Sequence, residues 1–369
     1  MTFMTESPVV IYSEKPFDDI WLRLLRFTSH GNLAQHRPRN SGAALDAEGS
    51  AEVSASCQQA HEYFRAALSA TLATAPLQLY YGMASLLKAA TILVNGACGD
   101  IGHHGMTAAE IPSGGKIGDV SLVVHAMKAG GLLEYAGTLQ PGNRLGGKQS
   151  WSLAELLGSV PDLFDEHAAA YGGSELGHCV PIERVLQSDS KIADRIDLTR
   201  VPDLENLIPK IEHFSERYLT PQHPAGSPFM ILRPRLNVAL DITETALSGR
   251  RFLLVGHTKE GRLVTLTPVV AMFMGMFILG TLSRYHARRW SSFLDDTQDD
   301  ERHLVEMSIR MCIRTFPNMA LDFIVGRKHV FTGLRFQDTD LREYAVTNDV
   351  KEIVSKEVEG VFHRLKRQE

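Results

Sequence analysis

The sequence predicts a predominantly α-helical α+β protein, a helical bundle with a small antiparallel sheet inserted in its middle. Apolar residues recur at helical spacing in the first and last thirds of the chain. Strand-like segments separated by turn residues fill residues 176–262. The chain has 369 residues, 44% hydrophobic and 22% charged. It can therefore bury a real core, as roughly two domains or as one large domain with an insertion.

The first third predicts helices around one polar insertion. Residues 17–38 carry apolar side chains at helical spacing behind an acidic cap. Residues 39–56 are small, polar and rich in Gly and Ser, which favours a surface loop. The apolar stretch 57–93 contains Pro76, and the residue before a proline disfavours the helical region. We therefore expect two helices that meet near residues 74–76.

The middle of the chain mixes strand and helix signals. Residues 95–118 break the helical pattern and predict a loop, and strand-and-turn signals follow at 119–127 and 130–139. Residues 151–170 predict a helix with a serine cap, interrupted at Pro161. Further strands are predicted at 179–187, at 229–242, and in a hairpin formed by 250–257 and 262–268 around a turn at 258–261.

The predicted organisation has three parts. Residues 1–170 form an N-terminal helical region with the polar insertion 39–56, and residues 171–267 form a β-containing middle region. Residues 268–369 form a helical region that packs back on the N-terminal bundle and ends in a charged amphipathic segment.

The stretch 263–283 has 21 residues without a charge, which is long enough to cross a bilayer. Both a membrane helix and a buried core helix fit that length. Pro268 is a good first-turn residue, so the helix would begin there and its purely apolar part would shrink to about 15 residues. We therefore predict a core helix and no membrane among the partners.

The charge balance and the spacing of the cysteines argue against several classes of protein. The sequence has 38 Lys and Arg residues and 43 Asp and Glu residues, so its net charge is −5. This balance argues against a protein that binds nucleic acid over most of its surface. The four cysteines are far apart and offer neither a disulfide framework nor a zinc site, so we expect reduced thiols. The first residues lack the apolar core of a signal peptide, and we expect a cytoplasmic location.

Four landmarks recur in a distinctive order. They are an early tryptophan helix with Trp21, the string 76–83 followed by Leu-Leu-Lys-Ala at 86–89, the His104-Gly105 step, and the late string 282–286 that leads to Trp290. This order resembles the YaaC-like family of bacterial proteins over roughly residues 17–335. The chain departs from the usual pattern at Ala287, where a proline is often found, and in the insertion 39–56.

The helices at about 57–95 are also similar to HEPN domains. HEPN proteins include RNA-cleaving toxins and defence effectors that use an Arg and a His separated by four to six residues, as well as inactive scaffolds. This resemblance implies RNA-directed activity and a role in bacterial stress or antiviral (phage) defence. Arg and His occur at that spacing four times here, about as often as composition alone produces, so the motif itself adds no support.

The best candidate site is a basic and aromatic cluster at residues 284–290. A guanidinium can hold a phosphate in a bidentate pose, an aromatic ring can stack on a base, and a histidine can move a proton. The candidates are Arg284 as the phosphate clamp, Lys88 and Arg288 as secondary cations, Trp290, Tyr81 and Tyr285 as stacking or packing rings, and His104 and His286 as proton-transfer groups.

A purely structural interpretation of the same residues stays open. Trp290 and Tyr285 could lock the long apolar helix onto the bundle while the arginines pair with the acidic run 295–301. That run lacks the alternation and the central glycine of an EF-hand, and it is more typical of a solvated loop that caps the next helix. His103 and His104 lack a carboxylate at metal-ligand spacing. We predict no metal and no cofactor, and the sequence does not decide whether the protein is an enzyme.

Two functions remain at this point. The first is a cytoplasmic protein that binds a nucleotide or nucleic acid such as RNA. The alternative is a non-catalytic interaction or scaffold subunit of a multiprotein complex, whose landmarks are all packing residues. In either case we expect a protein partner or a homo-oligomer.

Overall fold

The computed structural model describes residues 8–99, 101–109, 115–125, 130–139, 145, 149–172, 179–186, 192–199, 208, 211, 214–224, 227–235, 243–256, 265–296 and 299–332. Most of these residues are helical, which confirms the predicted α+β, predominantly α-helical class. The helices are α1 (Pro16–Leu25), α2 (His30–Gln35), α3 (Ala47–Ser69), α4 (Ala75–Asn95), α5 (Gly131–Leu139), α6 (Leu153–Gly158), α7 (Phe164–Tyr171), α8 (Phe214–Arg217), α9 (Pro268–Tyr285), α10 (Ala287–Asp295) and α11 (Asp300–Val325).

The described strands form three small sheets. They are β1 (Val9–Tyr12), β2 (Met106–Ala108), β3 (Ser121–Val124), β4 (Gln149–Ser152), β5 (Cys179–Leu186), β6 (Ile192–Asp197), β7 (Phe229–Leu232), β8 (Thr243–Thr245), β9 (Arg251–Leu254) and β10 (His329–Thr332). The predicted antiparallel sheet of the middle region has the order β7-β6-β5-β9-β8. A second antiparallel sheet has the order β2-β3-β4, and β1 pairs with β10 in parallel.

Helix α4 occupies the centre of the helical part. It packs against α3, α9, α11 and α5, and most of its residues are buried. Its glycine and alanines let neighbouring helices approach closely, and Ala89 and Ala90 are fully buried. Helix α9, which covers the apolar 268–283 segment, lies against α4 from the N-terminal part and against α6 and α11.

The hydrophobic core separates into one large and two small clusters. The large cluster combines residues from 20–163 with residues from 266–324. The buried residues of the two small clusters lie between 179 and 255, and the partly buried Phe164 packs against one of them. The middle sheet therefore has its own apolar interior, while the two ends of the described chain share one. The predicted boundaries at 170 and 267 stay predictions.

Two of the described helices, α4 and α9, are long and apolar enough to cross a membrane by length and composition alone. In each helix 72% of the most apolar 18-residue window is buried inside the protein. Burial of this extent is typical of core helices, which must be apolar on every side that contacts another element.

Glu301, in the first turn of α11, anchors a distant loop. Its buried carboxylate accepts hydrogen bonds from the backbone N–H groups of Ile117 (3.1 Å) and Gly118 (2.7 Å) and from the hydroxyl of Tyr171 (2.6 Å). Burial, followed by the interaction with Glu301, raises the pKa of Tyr171, so its hydroxyl remains a donor. The acidic run caps the next helix, because the Asp299 carboxylate accepts a hydrogen bond from the backbone N–H of Glu301. The sequence predicted a solvated run, whereas the side chain of Glu301 is buried.

Two secondary-structure predictions were wrong, and two others fall outside the described residues. Residues 131–139 form helix α5 instead of a strand, because Leu132, Tyr135, Ala136 and Leu139 are buried at helical spacing. Helix α3 begins at Ala47, inside the predicted loop 39–56, where the side chain of Asp46 caps it by accepting from the Gly49 N–H. The predicted turn 258–261 and the amphipathic C-terminal end lie outside the described residues.

We predict that Gly82→Ala destabilises the protein through the α3–α4 contact. A Cβ at this position would lie 2.9 Å from Cδ2 of the fully buried Phe64 and 3.0 Å from Cβ of Tyr63. Overpacking of this kind costs about 1–3 kcal/mol, more than the gain in helix propensity of about 1 kcal/mol. Urea denaturation measures the difference.

Gly137→Ala in α5 is the matched control, because its Cβ would meet nothing within 4 Å. It keeps the propensity gain and should be neutral or stabilising. Equal stability of the two variants would contradict tight packing at Gly82.

Candidate functional site

A cleft of about 620 Å³ opens between α4, the last two turns of α9 and the segment 104–109. Small-molecule sites in proteins have volumes of this order. The cleft brings together five of the eight predicted site residues: Tyr81, His104, Arg284, Tyr285 and His286.

Arg284 lies in the last turn of α9, where a cation interacts favourably with the helix dipole. Its side chain is exposed, and its Nη1 donates a hydrogen bond to the Tyr81 hydroxyl at 2.8 Å. The guanidinium carbon also lies 4.9 Å from the centre of the Tyr285 ring. Tyr81 thus holds the guanidinium in place, and since its oxygen accepts, its own O–H can still donate to a ligand.

Tyr80, next to Tyr81, holds the second polar group of the cleft. Its hydroxyl lies 2.6 Å from Nδ1 of His104. The Tyr80 ring is buried against Phe273 and Phe277, each with a centroid separation of 5.4 Å. Burial raises the pKa of Tyr80, with smaller contributions from Tyr135 and Tyr81, so the phenol stays protonated.

The backbone around His104 is fixed on both sides. The carbonyl oxygens of His103 and His104 accept from the N–H groups of Gly131 (2.9 Å) and Leu132 (3.0 Å), at the start of α5. Gly105 has a φ of +74°, a conformation that favours glycine. The chain then enters β2, so the His-Gly step is a turn that leads into the following segment.

His104 has an exposed face towards the cleft and an inner edge against Tyr80. Desolvation, followed by the nearby His103, lowers the pKa of His104 from its ordinary value. A lowered pKa keeps the imidazole neutral at pH 7.

The other three predicted site residues lie elsewhere. Lys88 is two turns beyond Tyr81 on α4 and forms an ion pair with Glu52 at 2.5 Å, which lowers the pKa of that carboxyl. Arg288 is exposed on α10 and does not line the cleft. Trp290 is buried and donates to the carbonyl oxygens of Leu72 and Ala73, 3.2 Å from each, so it is a packing residue.

Sequence reasoning missed the part of the cleft wall that α9 supplies before Arg284. Phe277, Gly280 and Thr281 line the cleft and share one helix face with Arg284, at three-, four- and seven-residue spacing. Gly280 lets α9 approach α4 closely, since a Cβ there would be 3.5 Å from the Leu77 Cα. Counting back from Arg284 in helical steps is the signal that could have found these residues.

Metal binding receives no support from the described part of the chain, where no group of three or more His, Cys, Asp or Glu side chains could hold an ion. The described cysteines are free, and burial raises the pKa of the half-exposed Cys98 to about 11. Thiolate chemistry at neutral pH is therefore disfavoured at this position.

The fold is that of a predominantly helical α+β protein, and its cleft brings together Arg284, His104 and two of the predicted tyrosines. A family model described as YaaC-like Protein matches residues 29–324, and the chain belongs to this family. Comparison with curated proteins and with solved structures found no match.

We predict that Trp290→Ala lowers the free energy of unfolding by about 3–5 kcal/mol, the range for loss of a large buried aromatic side chain. The control is Tyr285→Ala, which removes an aromatic ring that is 65% exposed and should change stability by less than about 1 kcal/mol. Guanidinium denaturation measures both. A similar loss in the two variants would contradict the distinct positions of the rings.

We also predict that His104 titrates below its ordinary pKa of 6.5 in an NMR titration, with its signal assigned by comparison with His104→Phe. The folded protein binds a proton at His104 less readily than the unfolded chain does. The free energy of unfolding therefore decreases as the pH falls below the ordinary pKa of His104. A midpoint at or above 6.5 would contradict the desolvation of the ring.

Proposed function

We propose that the protein binds a nucleotide in the cleft between α4 and α9. The observation that carries this proposal is the exposed guanidinium of Arg284, held by the Tyr81 hydroxyl at 2.8 Å beside aromatic rings. A fixed cation next to a stacking surface is the combination that recognises a phosphate joined to a base.

The charges of the cleft favour an anion. Arg284 has five N–H donors, and Tyr81 occupies only part of them. No Asp or Glu is among the described residues that line the cleft, whereas Arg284, His104 and His286 are. A phosphate would therefore meet donors and no competing carboxylate, although the whole chain carries a net charge of −5.

Aromatic rings supply the surface for a base. Tyr285 is 65% exposed, and Phe277 lines the cleft from the preceding turns of α9. An exposed aromatic ring gains free energy when a base stacks on it, about 1–3 kcal/mol per base. The exposure of Tyr285 is thus consistent with a binding surface.

The volume of about 620 Å³ suits a mononucleotide better than a polymer. The net negative charge also disfavours sequence-independent attraction to an RNA backbone. The HEPN-like character of the N-terminal helices, a role in stress or phage defence, RNA-directed activity and a cytoplasmic location belong to this proposal as further predictions.

The test compares Arg284→Ala with Arg288→Ala. Both arginines are exposed and lie four residues apart, but only Arg284 lines the cleft. Isothermal titration with a panel of nucleoside mono- and triphosphates should show that Arg284→Ala weakens binding about tenfold or more, the loss of one charge-assisted hydrogen bond of about 1.5–3 kcal/mol. Arg288→Ala should bind as the wild type does, and both variants should melt within a few degrees of it.

Two results would reject the proposal. One is a panel in which no nucleotide binds the wild-type protein, and the other is unchanged affinity in Arg284→Ala. Absence of binding together with a stable dimer, or with a co-purifying protein, would favour the alternative of a non-catalytic interaction subunit.

A further inference from the structure

The contact between Tyr80 and His104 determines which atom of the imidazole carries its proton. The Tyr80 ring is buried against Phe273 and Phe277, and the hydrogen-bond partner of its hydroxyl is Nδ1 of His104 at 2.6 Å. If the hydroxyl only accepted, its hydrogen would have no acceptor among the hydrogen bonds of the described residues, and a largely buried donor without an acceptor is unfavourable. The hydroxyl therefore donates, and Nδ1 accepts.

An imidazole whose Nδ1 accepts a hydrogen bond carries its single proton on Nε2 when it is neutral. His104 is exposed and lines the cleft, while Nδ1 is occupied by the buried tyrosine. The group that a ligand meets is accordingly an uncharged N–H donor. In this tautomer Nε2 cannot accept a proton, so the cleft presents a donor there instead of a general base.

His104 and Arg284 line the cleft from different elements, the segment 104–109 and the end of α9. The His104 ring lies 5.7 Å from the Phe277 ring. Phe277 precedes Arg284 by seven residues on α9, two helical turns or about 10.5 Å. A nucleotide whose phosphate sits at Arg284 extends over this distance through its sugar, and its base then reaches the region of His104.

We propose that the Nε2–H of His104 donates to the carbonyl oxygen at C6 of a bound purine or at C4 of a bound pyrimidine, so that the cleft prefers the oxo-bases hypoxanthine, guanine and uracil to adenine and cytosine, which carry an amino group at that position. An oxo-base presents an acceptor oxygen where an amino-base presents N–H donors. A donor facing a donor forms no hydrogen bond, so the amino-base loses the contact that the oxo-base makes. This inference rests on the proposed nucleotide site.

The experiment uses ligands that differ at one position of the base. The affinities of the full-length protein for inosine monophosphate and adenosine monophosphate are measured by isothermal titration, and uridine and cytidine monophosphates form a second pair. We expect the oxo member of each pair to bind about tenfold or more tightly, corresponding to about 1.4 kcal/mol.

Three variants assign the preference. His104→Phe keeps a ring against Tyr80 and Phe277 but removes the donor, so both pairs should bind with a ratio near one. His103→Phe makes the same change at the adjacent, exposed histidine and should keep the preference. Tyr80→Phe removes the hydroxyl that fixes the tautomer, so the preference should fall although Arg284 is intact.

The outcomes separate this inference from the proposed function. If all four nucleotides bind equally and Arg284→Ala weakens each of them, the base preference is wrong and the nucleotide site stands. If none binds, the proposed function fails and the preference with it. Nitrogen-15 NMR of the ligand-free protein gives a reading independent of binding: a His104 ring protonated on Nδ1 would overturn the inference, and a ring protonated on Nε2 supports it.

Discussion

The packing of α9 against α4 is the contact on which the rest of the molecule depends. Tyr80 lies between two phenylalanines of α9, and Gly280 brings the two helix backbones close at Leu77. At the end of the contact the Ser283 hydroxyl donates to the carbonyl oxygen of Ala73, 2.5 Å away, so the crossing is fixed by packing and by polar contacts. The same crossing leaves the open wedge that becomes the cleft, so the core and the candidate site have one physical origin.

Much of the helical architecture could be predicted because its signals are local. Apolar spacing, Pro76 and the serine cap at Ser152 each act within a few residues, and the structure has α4 and α6 beginning at the expected places.

The site was only partly predictable, since the residues that form its contacts are distant in sequence: Tyr81 contacts Arg284, and Tyr80 contacts His104. Helix α9 is apolar on nearly every side, so its hydrophobic pattern did not mark the face of Phe277, and only the helical spacing from Arg284 could have done so. Lys88 resembled a phosphate ligand because the sequence did not show that Glu52, 36 positions earlier, would neutralise it.

Local charge and total charge have opposite signs in this protein. The chain has five more acidic than basic residues, yet the described lining of the cleft has cationic and neutral groups only. Several carboxylates accept hydrogen bonds from groups within the protein. Glu301 accepts from the backbone N–H groups of residues 117 and 118, and Asp194 accepts from Arg251 and Tyr218. Acidic residues used as internal anchors contribute to the isoelectric point but not to the field at the site. Net charge alone is therefore a poor guide to what such a protein binds.

The parallel pairing of β1 with β10 has a consequence for biosynthesis. More than 300 residues separate Tyr12 from His329, so the first strand has no partner until the ribosome has made nearly all of the described chain. At about 5–20 residues per second that interval is roughly 15–60 s. The large apolar cluster likewise waits for residues 266–324, whereas the clusters from 179–255 can close earlier. The apolar faces of the N-terminal helices are therefore completed only late in synthesis, after the residues of the middle sheet have been made.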